Sequence, residues 1–377
     1  MKIKLAHVIN FMSPAGKEIG IVKLLNAMDP ERFETTLIVT DKVFDHLGLN
    51  TEKTKLIVLN KKTGNDIKIF FKLYHLFKTE QYDIVHTHAW GTLVEGILPA
   101  KIAHVPVVIH GEHGTFHKDF KRRIIQKLFF NWADYLLTVS GVLADEISSA
   151  IGIKRSKFHT IFNGVDVQKF APDAQKRAFY RRELGFTEGD FVIGTVGRPK
   201  PVKNQKLMIR ALKELLPKFP TAHFVVIGDT PLDSRKENLQ SLAKELNISE
   251  HVHFLGIKQD IPGYLNMFDL FVLPSLSEGC SNVLQEAMAT GLPIVASNVG
   301  GNPELIQHEE NGLLFDVHDL NDFVQQLTRL MEDKNLREKY GHNARRSAVD
   351  KFSLQTMISA YSEFYVHAME QVRTGKR

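Results

Sequence analysis

Short runs of aliphatic and β-branched residues alternate with helix-spaced apolar patterns as far as Phe162, stop, and then begin again. The strand-like runs of the first half are Lys4–Ile9, Thr36–Val39, Lys55–Leu59, Asp83–His86, Val105–His110, Tyr135–Val139 and Lys157–Phe162. Those of the second half are Phe191–Val196, His223–Ile227, His251–Leu255, Leu270–Leu273 and Pro293–Ala296, with helical patterns such as Gln205–Leu216 and Asn238–Leu246 between them. Strand, helix and strand in succession close as a parallel βαβ unit. The restart after the polar stretch Pro172–Arg182 predicts two such sheets, one per half. At 377 residues the chain is also too long for one ordinary core.

The expected division is a first domain over 1–166, a second over 167–352 and a closing helix over 353–377, with the junction in Asn163–Ala174. The closing segment carries Met357, Tyr361, Phe364, Tyr365 and Met369 at helical spacing and must bury that stripe. Two open parallel sheets facing each other bring the carboxyl ends of their strands around one cleft, and ligands of such sheets bind there. The chemistry is therefore sought in the loops that follow strands.

Composition excludes several classes. A net charge of +5 is too small to argue for nucleic-acid binding. The single cysteine, Cys280, allows no intrachain disulfide and fits a reducing compartment. The apolar run after Met1 is short and interrupted, unlike a signal peptide, and no uncharged apolar stretch reaches membrane-spanning length. A cytoplasmic protein is expected, with peripheral attachment to the inner face of a membrane as the variant.

Five loops carry candidate chemistry. In Asn10–Glu18, Gly16 lets backbone approach a ligand at a helix start, although an ordinary turn reads the same way. His110-Gly111-Glu112-His113-Gly114 offers a polar corner after a strand. A metal set is incomplete there, so a substrate-facing role is the better reading. His86 and His88, after the preceding strand, either contact the acceptor or are structural, and His110 is a further candidate for acceptor contact. Gly197-Arg198-Pro199-Lys200-Pro201-Val202-Lys203 places two cations on a proline-stiffened turn, which suits a diphosphate. Gly228-Asp229-Thr230-Pro231 shapes either a nucleotide pocket or a plain turn.

The fifth loop is Pro274–Ser281, leading into a helix that ends near Thr290 before Gly291 and Pro293. Ser281 or Asn282 caps it, and the amides of Asn282 and Val283 are left for a phosphate. A carboxylate beside a diphosphate is repelled, so Glu278 and Glu286 need hydroxyl partners: a sugar for Glu278 and a ribose for Glu286.

Glu278, Glu286 eight positions on, and Ala287-Met288-Ala289-x-Gly291-x-Pro293-Ile294-Val295-Ala296 resemble the signature of glycosyltransferase family 4. Val139-Ser140, Asn163-Gly164-Val165-Asp166, Gly197-Arg198 with Lys203, and Gly300-Gly301-Asn302-Pro303-Glu304 follow in family order. The likeness extends over nearly the whole chain and is similar to that of bacterial exopolysaccharide-type sugar transferases. It implies the GT-B fold, two Rossmann-like domains facing a central cleft, with the last helix crossing back to the first domain. It implies a retaining, metal-independent transfer from a nucleotide diphosphate sugar, UDP-sugar or GDP-sugar, to a saccharide or lipid-linked acceptor, with no separate cofactor. Arg198 and Lys203 would hold the donor diphosphate, Glu286 the ribose, Glu278 the sugar, and Gly16 would approach the phosphates. His113 matches the active-site histidine by position, with His110 its competitor, and the base would lie near Ile257 and Lys258. Two departures stand out: Gly228-Asp229-Thr230-Pro231 replaces Gly-x-Gly-Pro, and Pro14-Ala15-Gly16 replaces paired glycines.

Rival readings are a nucleotide-sugar epimerase on the same architecture and a non-catalytic nucleotide-sugar-binding subunit. The stretch Phe116–Trp132, with Lys118, Lys121, Arg122, Arg123 and Lys127 beside Ile125, Leu128, Phe129 and Trp132, reads either as a core-facing helix or as a helix lying on an anionic membrane.

Overall fold

Strand runs that are apolar on both faces need cover on both sides, and crossover helices supply it. The computed structural model describes residues 2–62, 66–114, 119–228 and 235–375. They divide into two units, Met1–Gly164 with Leu354–Arg377, and Val165–Ser353.

The first unit holds β1 (Ile3–Ile9), β2 (Phe33–Val39), β3 (Thr54–Val58), β4 (Ile84–His88), β5 (Val107–Glu112), β6 (Tyr135–Thr138) and β7 (Phe158–Thr160). Their order is β3-β2-β1-β4-β5-β6-β7, and every pairing is parallel. The second holds β8 (Phe191–Val196), β9 (Ala222–Ile227), β10 (Val252–Gly256), β11 (Leu270–Leu273), β12 (Ile294–Ser297) and β13 (Leu313–Phe315). Their order is β10-β9-β8-β11-β12-β13, again parallel throughout. Each sheet reverses its winding once, between β1 and β4 and between β8 and β11. Loops leaving the two strands on either side of such a point diverge and open a crevice.

The final helix, Leu354–Arg373, belongs to the first unit. Met357, Tyr361, Tyr365 and Met369 recur every four residues and are all buried, packed with Leu5, Ile84, Val107, Ile109 and Leu137 of the sheet. Burying each large side chain contributes about 1.5–3 kcal/mol.

Several strand ends differ from the sequence pattern by one to three residues, and two of them bear on function. β4 runs on to His88 and β5 to Glu112, so His88, His110 and Glu112 are ladder residues and only His113 emerges beyond a strand. β13 is three residues long, too short for any periodic signal. The first helix, Gly16–Ala27, begins ahead of the apolar pattern that starts at Ile19, which places Gly16 in its first turn.

Candidate functional site

In the second unit the site forms where β8, β9, β10 and β11 end. Gly197, Gly228 and Gly256 lie side by side there: Gly197 N–H donates to Ile227 O at 2.8 Å and Gly228 N–H to Gly256 O at 2.8 Å. A Cβ on Gly228 would stand 2.6 Å from Gly197 O, so only bare backbone fits between these strand ends. Asp229, Thr230 and Pro231 lie outside the described residues.

Arg198 leaves β8 exposed, and Lys203 closes the short 3₁₀ turn Pro201–Lys203. Leu276 N–H donates to Val202 O at 2.7 Å, tying this turn to the loop after β11. Across that tie Lys203 Nζ lies 2.7 Å from Glu278 Oε1, with side chains 26% and 11% exposed. The loop after β12 braces the same residue, since Gly301 N–H donates to Glu278 O at 3.1 Å. Gly300 sits at φ +52, and a Cβ there would lie 1.9 Å from that carbonyl oxygen. Glu278 is thus held by its backbone from β12 and by its carboxylate from the β8 loop.

The helix Asn282–Ala289 starts at this corner, with Ser281 at its N-cap. Ser281 makes no side-chain cap bond, and its buried Oγ has no hydrogen-bond partner among the described residues. The first turn, Asn282 and Val283, is partly exposed, as is Glu286 one turn in. Two cations, a helix N-terminus and an unsatisfied hydroxyl around one strand switch suit a diphosphate. Ile257 is 69% exposed just past β10, and Lys258 Nζ lies 5.5 Å from the ring centre of Tyr264.

In the first unit β1, β4 and β5 carry a histidine layer. His7 pairs with His86 in register, and His88 follows two residues on, so all three rings share the face covered by the last helix. His7 Nδ1 lies 2.9 Å from His88 Nε2, and His88 Nδ1 lies 2.9 Å from His113 Nε2. Tyr365 Oη is 2.8 Å from His86 Nδ1 and 3.3 Å from His7 Nε2. Gly111 makes the room: a Cβ on it would meet His86 Nε2 at 2.9 Å, His88 Nδ1 at 3.2 Å and His113 Nε2 at 3.4 Å. Burial pushes His7 and His113 down to about 3, and Lys17 adds to the effect on His113. Burial likewise holds His86 and His88 well below the usual imidazole range.

The acceptor-facing role expected for His86, His88 and His110 does not match their placement. His86 and His110 are fully buried and His88 is 1% exposed, so none offers a surface. His110 sits on the opposite face of the sheet from His113, bonded to Thr87 Oγ1 at 2.7 Å and Glu112 Oε1 at 3.2 Å. Among the described residues only His7, His86 and His88 bring three metal-type ligand atoms together. Gly16 opens its helix at the other loop of the switch point, with Lys17 paired to Glu18 at 3.0 Å. Sequence reasoning misses His7 and Tyr365. A lone histidine inside the apolar run Leu5–Ile9 is the only local signal for the first, and the second reads as one more core residue.

The chain is similar to known proteins over most of its length. Residues 15–169 match the model of Glycosyltransferase Family 4, and residues 176–347 that of the group 1 glycosyl transferases. The chain is 32% identical over 382 residues to the UDP-Gal:alpha-D-GlcNAc-diphosphoundecaprenol alpha-1,3-galactosyltransferase of Escherichia coli, covering 97% of each protein. It is 30% identical to the D-inositol 3-phosphate glycosyltransferase of Corynebacterium jeikeium, over 78% of this chain and 75% of that one. Among solved structures, Anabaena HepE in complex with UDP superposes with a TM-score of 0.83 at 21% identity, covering 97% of this chain and all of the other. A Rickettsia africae glycosyltransferase does so at 0.87 and 18%, covering 98% and 99%. The chain belongs to glycosyltransferase family 4: it is a glycosyltransferase with the GT-B fold.

Proposed function

We propose that the chain is a retaining transferase that moves a sugar, galactose as first candidate, from its UDP-sugar to a saccharide carried on a lipid diphosphate, in the synthesis of a bacterial surface glycan. The observation that carries this is the end-to-end match with the E. coli enzyme whose name states such a donor and acceptor. In the reaction an acceptor hydroxyl oxygen bonds to the anomeric carbon as the bond from that carbon to the β-phosphate oxygen breaks. The acceptor proton passes to the departing diphosphate on the same face, leaving UDP and the new glycoside. Negative charge grows on the diphosphate, so Arg198, Lys203 and the amides of Asn282 and Val283 stabilise the transition state. Binding of the diphosphate draws Lys203 from Glu278, whose carboxylate is then open to a sugar hydroxyl, while Glu286 takes the ribose and the backbone at Ile257 and Lys258 takes the base. No metal or cofactor has a role in this reading.

A lipid-borne acceptor requires the enzyme to work at a membrane, and no helix among the described residues is long and apolar enough to cross one. The helix Phe120–Trp132 offers the alternative of lying on it. Its stripe divides: Phe129 is buried, while Phe120, Ile124, Leu128 and Trp132, four residues apart, are 44–76% exposed. Exposed Lys121 and Lys127 flank them, whereas Lys118 and Phe116 lie outside the described residues. An exposed apolar line beside cations fits an anionic bilayer surface.

The test is incubation of the purified protein with a panel of UDP- and GDP-sugars and a synthetic polyprenyl diphosphate N-acetylglucosamine. Product whose anomeric coupling matches the donor supports the proposal. Conversion of donor without acceptor overturns it in favour of an epimerase, and binding with neither reaction in favour of a carrier subunit.

A further inference from the structure

We propose that His86, Tyr365, His7 and His88 form a one-directional hydrogen-bond relay that fixes the tautomer of His113, making it a hydrogen-bond donor through Nδ1 and making Tyr365 of the last helix its positioning residue. The proposal rests on the transferase reading, with His113 as the active-site histidine that the family resemblance implies and a substrate oxygen as its partner, and on geometry for everything else.

The direction is set at the buried end. His86 Nε2 is buried with no hydrogen-bond partner among the described residues. An ideal Cβ on Gly111 would lie 2.9 Å from this nitrogen, so a Cα hydrogen of the glycine is aimed at it. A bare lone pair accepts that weak C–H donor, whereas an N–H there would be an orphaned donor pressed against carbon. His86 therefore carries its proton on Nδ1 and donates to Tyr365 Oη at 2.8 Å. The Tyr365 hydroxyl, having accepted, donates onward to His7 Nε2 at 3.3 Å. A neutral imidazole that accepts at one nitrogen must hold its proton on the other. So His7 donates from Nδ1 to His88 Nε2, and His88 from Nδ1 to His113 Nε2, each at 2.9 Å. His113 is left with its proton on Nδ1. Burial keeps the rings neutral, which is what makes the chain directional.

The nitrogens of His7, His86 and His88 lie within 4.8 Å of one another, a spacing also open to a metal. His7 Nδ1 and His88 Nε2, 2.9 Å apart, are joined by a hydrogen bond, so the lone pair that accepts it is not open to a metal. The functional consequence is specific. His113 serves an oxygen of the substrate as a donor and does not abstract a proton, in keeping with a transfer in which the diphosphate takes the acceptor proton.

The experiment is long-range ¹⁵N–¹H correlation on the full chain labelled at histidine, with His113 assigned through H113Q. The expected result is His113 protonated at Nδ1 alone around neutral pH, and a mixture of both tautomers in Y365F. Turnover of Y365F should fall a few-fold to about tenfold, in proportion to the lost tautomer, with UDP affinity unchanged. H7Q, whose amide can accept from Tyr365 and donate to His88, should keep the Nδ1 form, and H7L should lose it. If Y365F unfolds, the His7 pair of variants decides the matter. His113 protonated at Nε2, tautomers indifferent to Y365F and H7L, or stoichiometric zinc in the purified protein would each overturn the relay. The tautomer needs no substrate, so failure of the transferase reading leaves this result standing, and the reverse holds.

Discussion

Lys203 Nζ rests 2.7 Å from Glu278 Oε1, joining the loop after β8 to the loop after β11 across the point where the second sheet reverses. Both residues belong to the donor site proposed above, so the ion pair couples two groups that the proposal gives to the donor. With most of each side chain buried, the pair should couple by about 1 kcal/mol. A cycle of Lys203→Met, Glu278→Gln and the double variant in denaturant measures this, and additive stabilities would deny the coupling. Lys203→Met should also lower kcat by about 10²–10³, the usual cost of one preorganised donor at a developing charge.

Gly300 should be intolerant of any side chain. Its φ of +52 disfavours other residues, and a Cβ would lie 1.9 Å from Glu278 O. Backbone strain of this kind costs about 1–3 kcal/mol. Moving Glu278 by an ångström would reduce turnover by about 10²-fold. Thermal denaturation and steady-state kinetics of Gly300→Ala test both halves. A variant with native kcat would show that the brace on Glu278 has no bearing on transfer.

Ser281→Ala should separate stability from affinity. The Ser281 Oγ is buried without a partner among the described residues, so removing it relieves a desolvated hydroxyl and the melting temperature should hold or rise. If the hydroxyl awaits a phosphate oxygen, UDP affinity should fall about ten- to a hundredfold, since a bond to a charged group contributes about 1.5–3 kcal/mol. Calorimetric titration with UDP decides it, and unaltered binding would place the phosphate elsewhere.

Much of this was legible in the sequence, for physical reasons that also set its limits. Runs such as Phe271-Val272-Leu273 announce buried parallel strands because only such strands are apolar on both faces. Met357, Tyr361, Tyr365 and Met369 announce a packed helix because four residues make about a turn. The glutamates and the Arg198–Lys203 loop stand out because they follow strands. The histidines mislead because strand ends cannot be read to the residue. Two more ladder positions in β4 and in β5 turn His88 from a loop residue into a buried one and carry His110 from the end of its strand into the buried ladder. The bond between Tyr365 and His7 joins positions 358 apart, and no local pattern reports it.

The exposed stripe on Phe120–Trp132 predicts a salt-sensitive membrane contact. Vesicles rich in anionic lipid should retain the protein at low salt and release it as salt rises, with each lysine near the surface contributing about 1 kcal/mol. Ile124→Glu with Leu128→Glu replaces two residues that are 55% and 48% exposed, so folding should survive while sedimentation with vesicles is lost. Retention unaffected by the double change would move the contact to another face.

The histidine layer should make stability fall with acid, and the sign follows from burial. His7 and His113 titrate at about 3 in the folded chain, with His86 and His88 also depressed, against about 6.5 unfolded. Below pH 6.5 the unfolded chain therefore binds more protons than the folded one, and stability is complete above that pH and lost as pH falls toward 3. Each ring contributes up to about 1.4 kcal/mol per pH unit in that window. Lys17, which faces His88 and His113, deepens the effect by its own charge. Melting curves from pH 7.5 to 5 should show the decline, and H7Q should reduce the slope. A slope untouched by H7Q would mean that other groups, the carboxylates first among them, govern acid unfolding.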